Sequence, residues 1–362
     1  MKILYCIHTL AAPGGMQRVL TVKANYLAAK GYAVHIAVHD EACATPYFLL
    51  HNAISVHYLS APLHQALHQL LHTLRPTIAI SMGDDDQYQL WRIKDGSKKI
   101  LEFHFTRHHV LHLVNGLPNG KLLRLRRIYA WLLMVRQTLC ARHYDKLVLL
   151  TQGDLALWHT PANAVVIPNP LSFAPTQTAP LNTNIILAAG RFIATKGFDL
   201  LIDAFAIVAS QYPGWRLHLC GGGQDEAWLR EKVAHYGLSA QVSFLPFVND
   251  MQQAMMGAAI YAFPSRYEGF GLALTEAMAC GVPCVAFDCP CGPREIIHHE
   301  ADGLLVPNGD VPAFAAALLR LMAAITLRQQ MGAEARVKVQ RFAPAQVMQQ
   351  WEQLFKTLVN AA

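Results

Sequence analysis

Short apolar runs of β type alternate with segments of helical periodicity in both halves of the chain. Such alternation predicts parallel, doubly wound sheets with helices on both faces. In the first half the runs are KILYCIHT (2–9), AVHIAV (33–38), TIAIS (77–81), KILEFHF (99–105) and KLVLLT (146–151). In the second they are NIILAAG (184–190), RLHLCG (216–221), QVSFLP (241–246), AIYAFP (259–264), VPCVAF (282–287) and GLLVP (303–307). Between them, VVIPNPLSFAPTQTAPLNTN (165–184) has four prolines and almost no periodicity, the composition of a linker. The expected class is α/β, with one Rossmann-like domain over 1–170, a second over 171–345 and a C-terminal helix over 346–362 packing back on the first. The two domains are expected to face a central cleft. Open α/β sheets bind ligands beyond the carboxyl ends of their strands, so the loops there decide the function.

A chain of 362 residues, 53% of them hydrophobic, suffices for two packed cores. The start, MKILYCIHTLAAPGG, is too short in its apolar run for a signal segment and reads as a first strand. The most apolar helix candidate, IYAWLLMVRQTLCA (128–141), is interrupted by Arg136 and falls short of the ~20 apolar residues of a membrane span. A cytoplasmic protein is expected. Eight cysteines, mostly inside apolar runs, predict reduced core thiols rather than a disulfide scaffold.

Charge is informative once divided. Residues 1–170 carry 17 Lys and Arg against 9 Asp and Glu, and residues 171–362 carry 13 against 15. Much of the basic excess lies in GKLLRLRRIYAWLLMVRQ, where Lys121, Arg124, Arg126, Arg127 and Arg136 are interleaved with apolar residues at helical spacing. A helix of this kind either lies on an anionic membrane surface or packs on the core with a basic outer face. No nucleic-acid motif or stacking platform accompanies the charge, so no nucleic-acid partner is expected.

Three loops of the second half carry chemistry. AAGRFIATKGFD leaves a strand at Gly190, presents Arg191 and Lys196, and turns into a helix after Gly197. Two cations at that spacing suit neighbouring phosphates, although a solvated loop explains the pair as well. CGGGQDEAW, with Gly221 to Gly223, lets a ligand approach the backbone but is not a dinucleotide fingerprint. RYEGFG follows the strand AIYAFPS and opens the helix LALTEAMAC, stopped by Gly281. Glu268 then lies in the loop and Glu276 one to two turns into the helix, so they are not an acid–base pair on one face. The glycines at 269 and 271 leave backbone N–H groups at a helix start, an anion site, and carboxylates accept hydrogen bonds from sugar hydroxyls. Cys280, Cys284, Cys289 and Cys291 follow at once, but their spacing is not the paired x2 pattern of structural zinc. GDDDQ, with Asp84 to Asp86, imitates a metal-binding D-x-D and reads equally well as a polar loop or an acceptor contact.

At these residues a family resemblance appears. E-G-F-G-L-x-L-x-E-A-M-A-C-G-x-P (268–283) resembles the E-x7-E signature of the retaining glycosyltransferases of family four, which have the GT-B fold of two facing Rossmann-like domains. The G-R-F-x-x-x-K-G loop at 190–197, the PNP at 168–170, the Gly14–Gly15 loop and DGLLVP at 302–307 agree in the same order. DCPCGPREII and KDGSKKILEFHF resemble bacterial members that build capsule, exopolysaccharide, lipopolysaccharide or lipid-linked oligosaccharide, several of which transfer galactose or N-acetylgalactosamine.

The resemblance implies a UDP-sugar donor and no metal or other cofactor. It implies that Arg191 and Lys196, with Gly190, bind and neutralise the donor diphosphate, and that Gly15 approaches it from the first domain. Glu268 should hold sugar hydroxyls beside the backbone of Gly269, Phe270, Gly271 and Leu272, and Glu276 the ribose. Phe247, in FLPFVND, should lie near the base. His104 resembles the first-domain histidine that meets the donor sugar, with His108 and His109 as competitors. No residue is placed as a nucleophile, so front-face attack is expected, the departing phosphate taking the acceptor's proton. The expected acceptor is a growing glycan or lipid-linked oligosaccharide, which would give the basic helix a membrane to lie on. The alternatives are a non-catalytic sugar-nucleotide-binding protein and a Cys-ligated metal protein.

Overall fold

The computed structural model describes residues 1–40, 45–115, 123–247 and 250–360. The chain divides into two compact units. One runs from Met1 to Ser172 and resumes at Phe342, and the other is built chiefly from Phe173–Arg341.

The first unit holds β1 (Lys2–Ile7), β2 (Ala33–Val38), β3 (Ser55–Tyr58), β4 (Ile78–Ser81), β5 (Lys98–Glu102), β6 (Lys146–Leu149) and β7 (Ala164–Val166). They form one 7-stranded sheet in the order β3-β2-β1-β4-β5-β6-β7, parallel throughout. The second unit holds β8 (Ile185–Arg191), β9 (Arg216–Gly222), β10 (Val242–Leu245), β11 (Ile260–Phe263), β12 (Cys284–Asp288) and β13 (Gly303–Pro307). These form a parallel 6-stranded sheet in the order β10-β9-β8-β11-β12-β13. The central strands are continuous apolar runs because helices cover both faces: β4 and β11 are buried at every residue. In each sheet the strand order reverses once, between β1 and β4 and between β8 and β11. At such a reversal the connections leave in opposite directions and open a crevice at the strands' carboxyl ends.

The alternating pattern locates the central strands to within a few residues, and the edges differ. β3 and β7 were not expected. Each is short, pairs on one side only and lacks a fully buried face, so neither leaves a readable periodicity. The proline-rich stretch is not a free linker. Ala164–Val166 is a sheet edge, and Ala179 and Leu181 are buried in the second unit. There Arg328 donates to the Leu181 carbonyl at 3.2 Å and Arg336 to that of Pro175 at 2.8 Å. The Ala179 N–H donates to the Cys280 carbonyl at 2.8 Å, and the prolines, having no N–H to satisfy, leave few further backbone donors to pair.

The last helix, Pro344–Asn360, lays Val347, Met348, Trp351, Leu354, Phe355 and Leu358 into the first unit's core, alongside Ile3, Tyr5 and Ile7 of β1 and Leu20, Ala24 and Leu27 of the helix Gly15–Ala29. The basic segment forms the helix Leu123–Ala141. Ala130, Met134, Gln137, Cys140 and Ala141 are buried, while Leu125, Ile128, Tyr129, Trp131, Leu132 and Leu139 stand 52–64% exposed beside exposed Arg124, Arg126 and Arg127. Lys121 lies outside the described residues. Among the described residues no single helix is long and apolar enough to cross a membrane.

Trp351 is 1% exposed. Trp351→Ala should therefore destabilise the first unit by about 3–5 kcal/mol, seen as a lower midpoint in urea denaturation.

Candidate functional site

The second unit's site begins where β8 ends. After Arg191 the chain makes a 3-10 turn over Ala194–Lys196 and starts the helix Phe198–Ala209 from Gly197. Gly197 is left-handed, φ +66°, and a Cβ there would lie 2.0 Å from the Pro264 carbonyl oxygen at the end of β11. Glycine alone meets both conditions, and the loops after β8 and β11 touch backbone to backbone across the reversal of strand order.

Arg266 fastens them. Its guanidinium donates to both Asp199 carboxylate oxygens, at 2.7 and 2.6 Å, and to the Ala194 carbonyl at 2.6 Å, while its backbone N–H donates to the Thr195 carbonyl at 2.9 Å. A planar fork on a carboxylate fixes direction as well as distance. On this frame Lys196 Nζ donates to Glu268 Oε1 at 2.6 Å, and Ser265 Oγ donates to the same oxygen at 2.6 Å. Lys196 is 27% and Glu268 10% exposed, so the pair sits partly out of water. Arg191 stands exposed on the first of the two loops. Beside them, burial first, with Glu268 adding to it, pushes the Tyr267 phenol up to about 12.

Downstream of Glu268 the chain enters the helix Leu272–Ala279 from Gly271, φ +110°, and no side chain caps its N-terminus. The first-turn N–H groups of such a helix suit an anion. The left-handed Gly281, φ +74°, follows its end, as the sequence predicts. Glu276, on this helix, is only 3% exposed. Beneath both glutamates lies Tyr261 of β11, fully buried, its hydroxyl 3.4 Å from the Ala189 carbonyl of β8. Burial, then the charge of Glu276, raises its phenol well above the ordinary range. Phe247 is 47% exposed, its ring 3.5 Å from where a Cβ on Gly222 would stand, beside the end of β9. The two residues that follow it lie outside the described residues.

The DCPCGP segment braces this loop. Gly292 is left-handed, φ +86°, and a Cβ on it would lie 2.0 Å from the Phe270 carbonyl oxygen. The cysteines around it are buried and in no disulfide. Burial pushes the Cys280 thiol up to about 12 and those of Cys284 and Cys289 up as well. Among the described residues no group of three or more His, Cys, Asp or Glu side chains is set to hold a metal ion.

Gly15 and His104 belong to the first unit. Gly15 opens the helix Gly15–Ala29 after β1, and His104 follows β5, its Nε2 3.3 Å from Glu102 Oε1. At the reversal between β1 and β4, Asp84 accepts the His8 N–H at 2.8 Å, while fully buried Asp86 lies 3.6 Å from His39 Nε2. Asp84 and Asp86 thus have separate partners. Sequence reasoning brought Arg191, Lys196, Glu268 and the 269–272 backbone onto adjacent loops. It missed Arg266, Asp199, Ser265 and Tyr261. For the first two, the signal was an unassigned Arg beside Glu268 and an Asp beside Gly197.

The raised thiols give a direct check. A thiol whose pKa is raised is protonated, hence unreactive, at every pH below that value. Cys280, Cys284 and Cys289 of the native protein should resist an alkylating reagent at neutral pH and react once unfolded, as read by mass spectrometry.

Residues 173–338 match the family described as Glycosyl transferases group 1. An uncharacterized glycosyltransferase of Haemophilus influenzae is 26% identical over 362 residues, spanning 97% of this chain and 99% of the relative. Among solved structures, Anabaena Alr3699/HepE in complex with UDP-glucose superposes with a TM-score of 0.78 at 19% identity, covering 99% of this chain and 100% of that one. The lipopolysaccharide outer core galactosyltransferase WaaB, in apo form, superposes with a TM-score of 0.74 at 18% identity, covering 99% of each. Over residues 173–338 the chain is similar to the glycosyl transferases group 1 family, and its fold is the GT-B scaffold of two parallel-sheet Rossmann-like domains.

Proposed function

We propose that this chain is a glycosyltransferase that moves a hexose or N-acetylhexosamine, galactose or N-acetylgalactosamine by preference, from a UDP-sugar to a growing bacterial surface glycan or lipid-linked oligosaccharide, with retention of anomeric configuration. The observation that carries the reading is the Lys196–Glu268 pair, held with Arg191 beside an uncapped helix start at the reversal of the sheet. Arg191, Lys196 and the first-turn N–H groups neutralise the diphosphate as the anomeric C–O bond breaks. That is charge stabilisation where negative charge develops, and it needs no divalent ion. Glu268 accepts hydrogen bonds from sugar hydroxyls, and Glu276 takes the ribose. Phe247 lies against the base. From the first unit, Gly15 approaches the diphosphate and His104 the sugar. The acceptor hydroxyl attacks the anomeric carbon on the face the diphosphate leaves. Its proton goes to the departing phosphate oxygen, so no protein nucleophile is required.

UDP is supported by the UDP-glucose held by the Anabaena protein. A galactosyl donor and a lipopolysaccharide acceptor are supported by the likeness to WaaB, a lipopolysaccharide outer core galactosyltransferase. A nucleotide-sugar panel, read by thermal shift and nucleotide release, tests the donor. A UDP-hexose should give both, Lys196→Ala should lower kcat about 10²–10³-fold, and Glu268→Gln should still bind UDP while losing transfer. Shift without release would make the protein a sugar-nucleotide binder only, and no response to any UDP-sugar would overturn the reading.

The site of action is the cytoplasmic face of a membrane, reached through the helix Leu123–Ala141. Its exposed Trp131, Leu132 and Tyr129 supply apolar area and its arginines charge, each basic residue adding on the order of 1 kcal/mol near anionic lipid. The protein should sediment with anionic vesicles and less with neutral ones, and Trp131→Ser with Leu132→Ser should release it.

A further inference from the structure

We propose that Glu102, with Lys23 as its buried counter-ion, is a positioning residue for His104: it takes the imidazole by Nε2 and leaves Nδ1 as the ring nitrogen offered to a sugar hydroxyl. The proposal rests on the reading of His104 as the first-unit group that meets the donor sugar.

Lys23 sits in the middle of the helix Gly15–Ala29 with no exposed side-chain surface, bonded to Glu102, which is 1% exposed. The ammonium is roofed by the Trp351 ring, 3.8 Å from its centroid, and faces the Tyr5 ring at 5.4 Å. A lysine and a glutamate buried this completely bring little net stability, because desolvating both offsets their attraction; two apolar side chains of like volume would serve the core as well or better. A use other than packing is therefore indicated, and the geometry shows one. Glu102 is the last residue of β5, at the carboxyl edge where ligands of open sheets bind. Its two oxygens are divided: Oε2 takes Lys23, and Oε1 lies 3.3 Å from His104 Nε2. That nitrogen is buried and has no hydrogen-bond partner among the described residues, which leaves the carboxylate as the group within its reach. Burial alone would raise the Glu102 carboxyl, but Lys23, then His104, outweigh it and hold the group at about 2. The carboxylate is thus ionised at any working pH, an acceptor that never becomes a donor. A carboxylate on one imidazole nitrogen selects the tautomer and sets the ring's direction. Lys23 holds the carboxylate from behind, and Trp351 holds Lys23.

The test reads the ring directly and then the reaction. Nitrogen-15 correlation spectra of His104 at about pH 8, above the ordinary histidine pKa, should show the Nε2–H tautomer in the ligand-free protein, and Glu102→Gln should lose that preference. In kinetics, Glu102→Gln should lower kcat/KM for transfer about 10–100-fold. Combined with His104→Asn it should cost nothing beyond His104→Asn alone, because the two act as one unit. If Glu102→Gln folds poorly beside an unpaired lysine, the neutral pair Lys23→Met with Glu102→Gln restores the core and should show the same loss of tautomer. An Nδ1–H tautomer in the wild type, an unchanged tautomer in both variants, or fully multiplicative kinetics would overturn the positioning role even in an active enzyme. The expected tautomer with no turnover of any nucleotide sugar would instead overturn the functional reading beneath it.

Discussion

The backbone contact between Gly197 and the Pro264 carbonyl governs the rest of the second unit's chemistry. With no Cβ between them, the loops after β8 and β11 come close enough for one arginine, Arg266, to hold both. That closeness brings a lysine from one loop within 2.6 Å of a glutamate from the other, 72 residues away in sequence. A bulkier residue at 197 would part the loops and leave Lys196 and Glu268 as unrelated surface charges. The glycine thus works through what it omits, and the arginine turns proximity into fixed direction.

The central strands and the chemistry-bearing loops were legible in the sequence because both depend on local signals. A strand buried on both faces is a continuous apolar run whatever it pairs with, and a helix start after glycines is recognisable on its own. The edges were not legible. β3 and β7 owe their existence to a neighbouring strand already in place, and Ala179 and Leu181 are buried by residues more than a hundred positions downstream. The same distinction divides the site. Glu268 and Lys196 stood out through their own loops, whereas Arg266 and Asp199 acquire meaning only once two loops meet. Tyr261 reads as one more apolar position until its hydroxyl is seen beneath two carboxylates.

The cysteines illustrate how a local pattern misleads. Four thiols within a dozen residues attract attention as a possible ligand set, yet metal binding needs thiolates that converge and can shed their protons. Here burial pushes the protons on, and the segment's conformation serves a different end, bringing Gly292 against the Phe270 carbonyl. The helix Leu123–Ala141 left two readings open in the sequence, core packing and a membrane surface. In the fold Ala130, Met134, Gln137, Cys140 and Ala141 are buried while Trp131, Leu132, Tyr129 and Ile128 face out.

The chain's return to the first unit at Phe342 sets an order of assembly. The second unit is made chiefly from one continuous stretch and can close as soon as that stretch is synthesised, although it is encoded later than most of the first. The first unit has its sheet early but lacks the helix that roofs Lys23 until Pro344–Asn360 has been made. Without that helix Lys23 would lack the Trp351 ring that covers it in the folded protein. The sealing of the first unit's core over its ion pair therefore waits on residues encoded after the whole continuous stretch of the second unit.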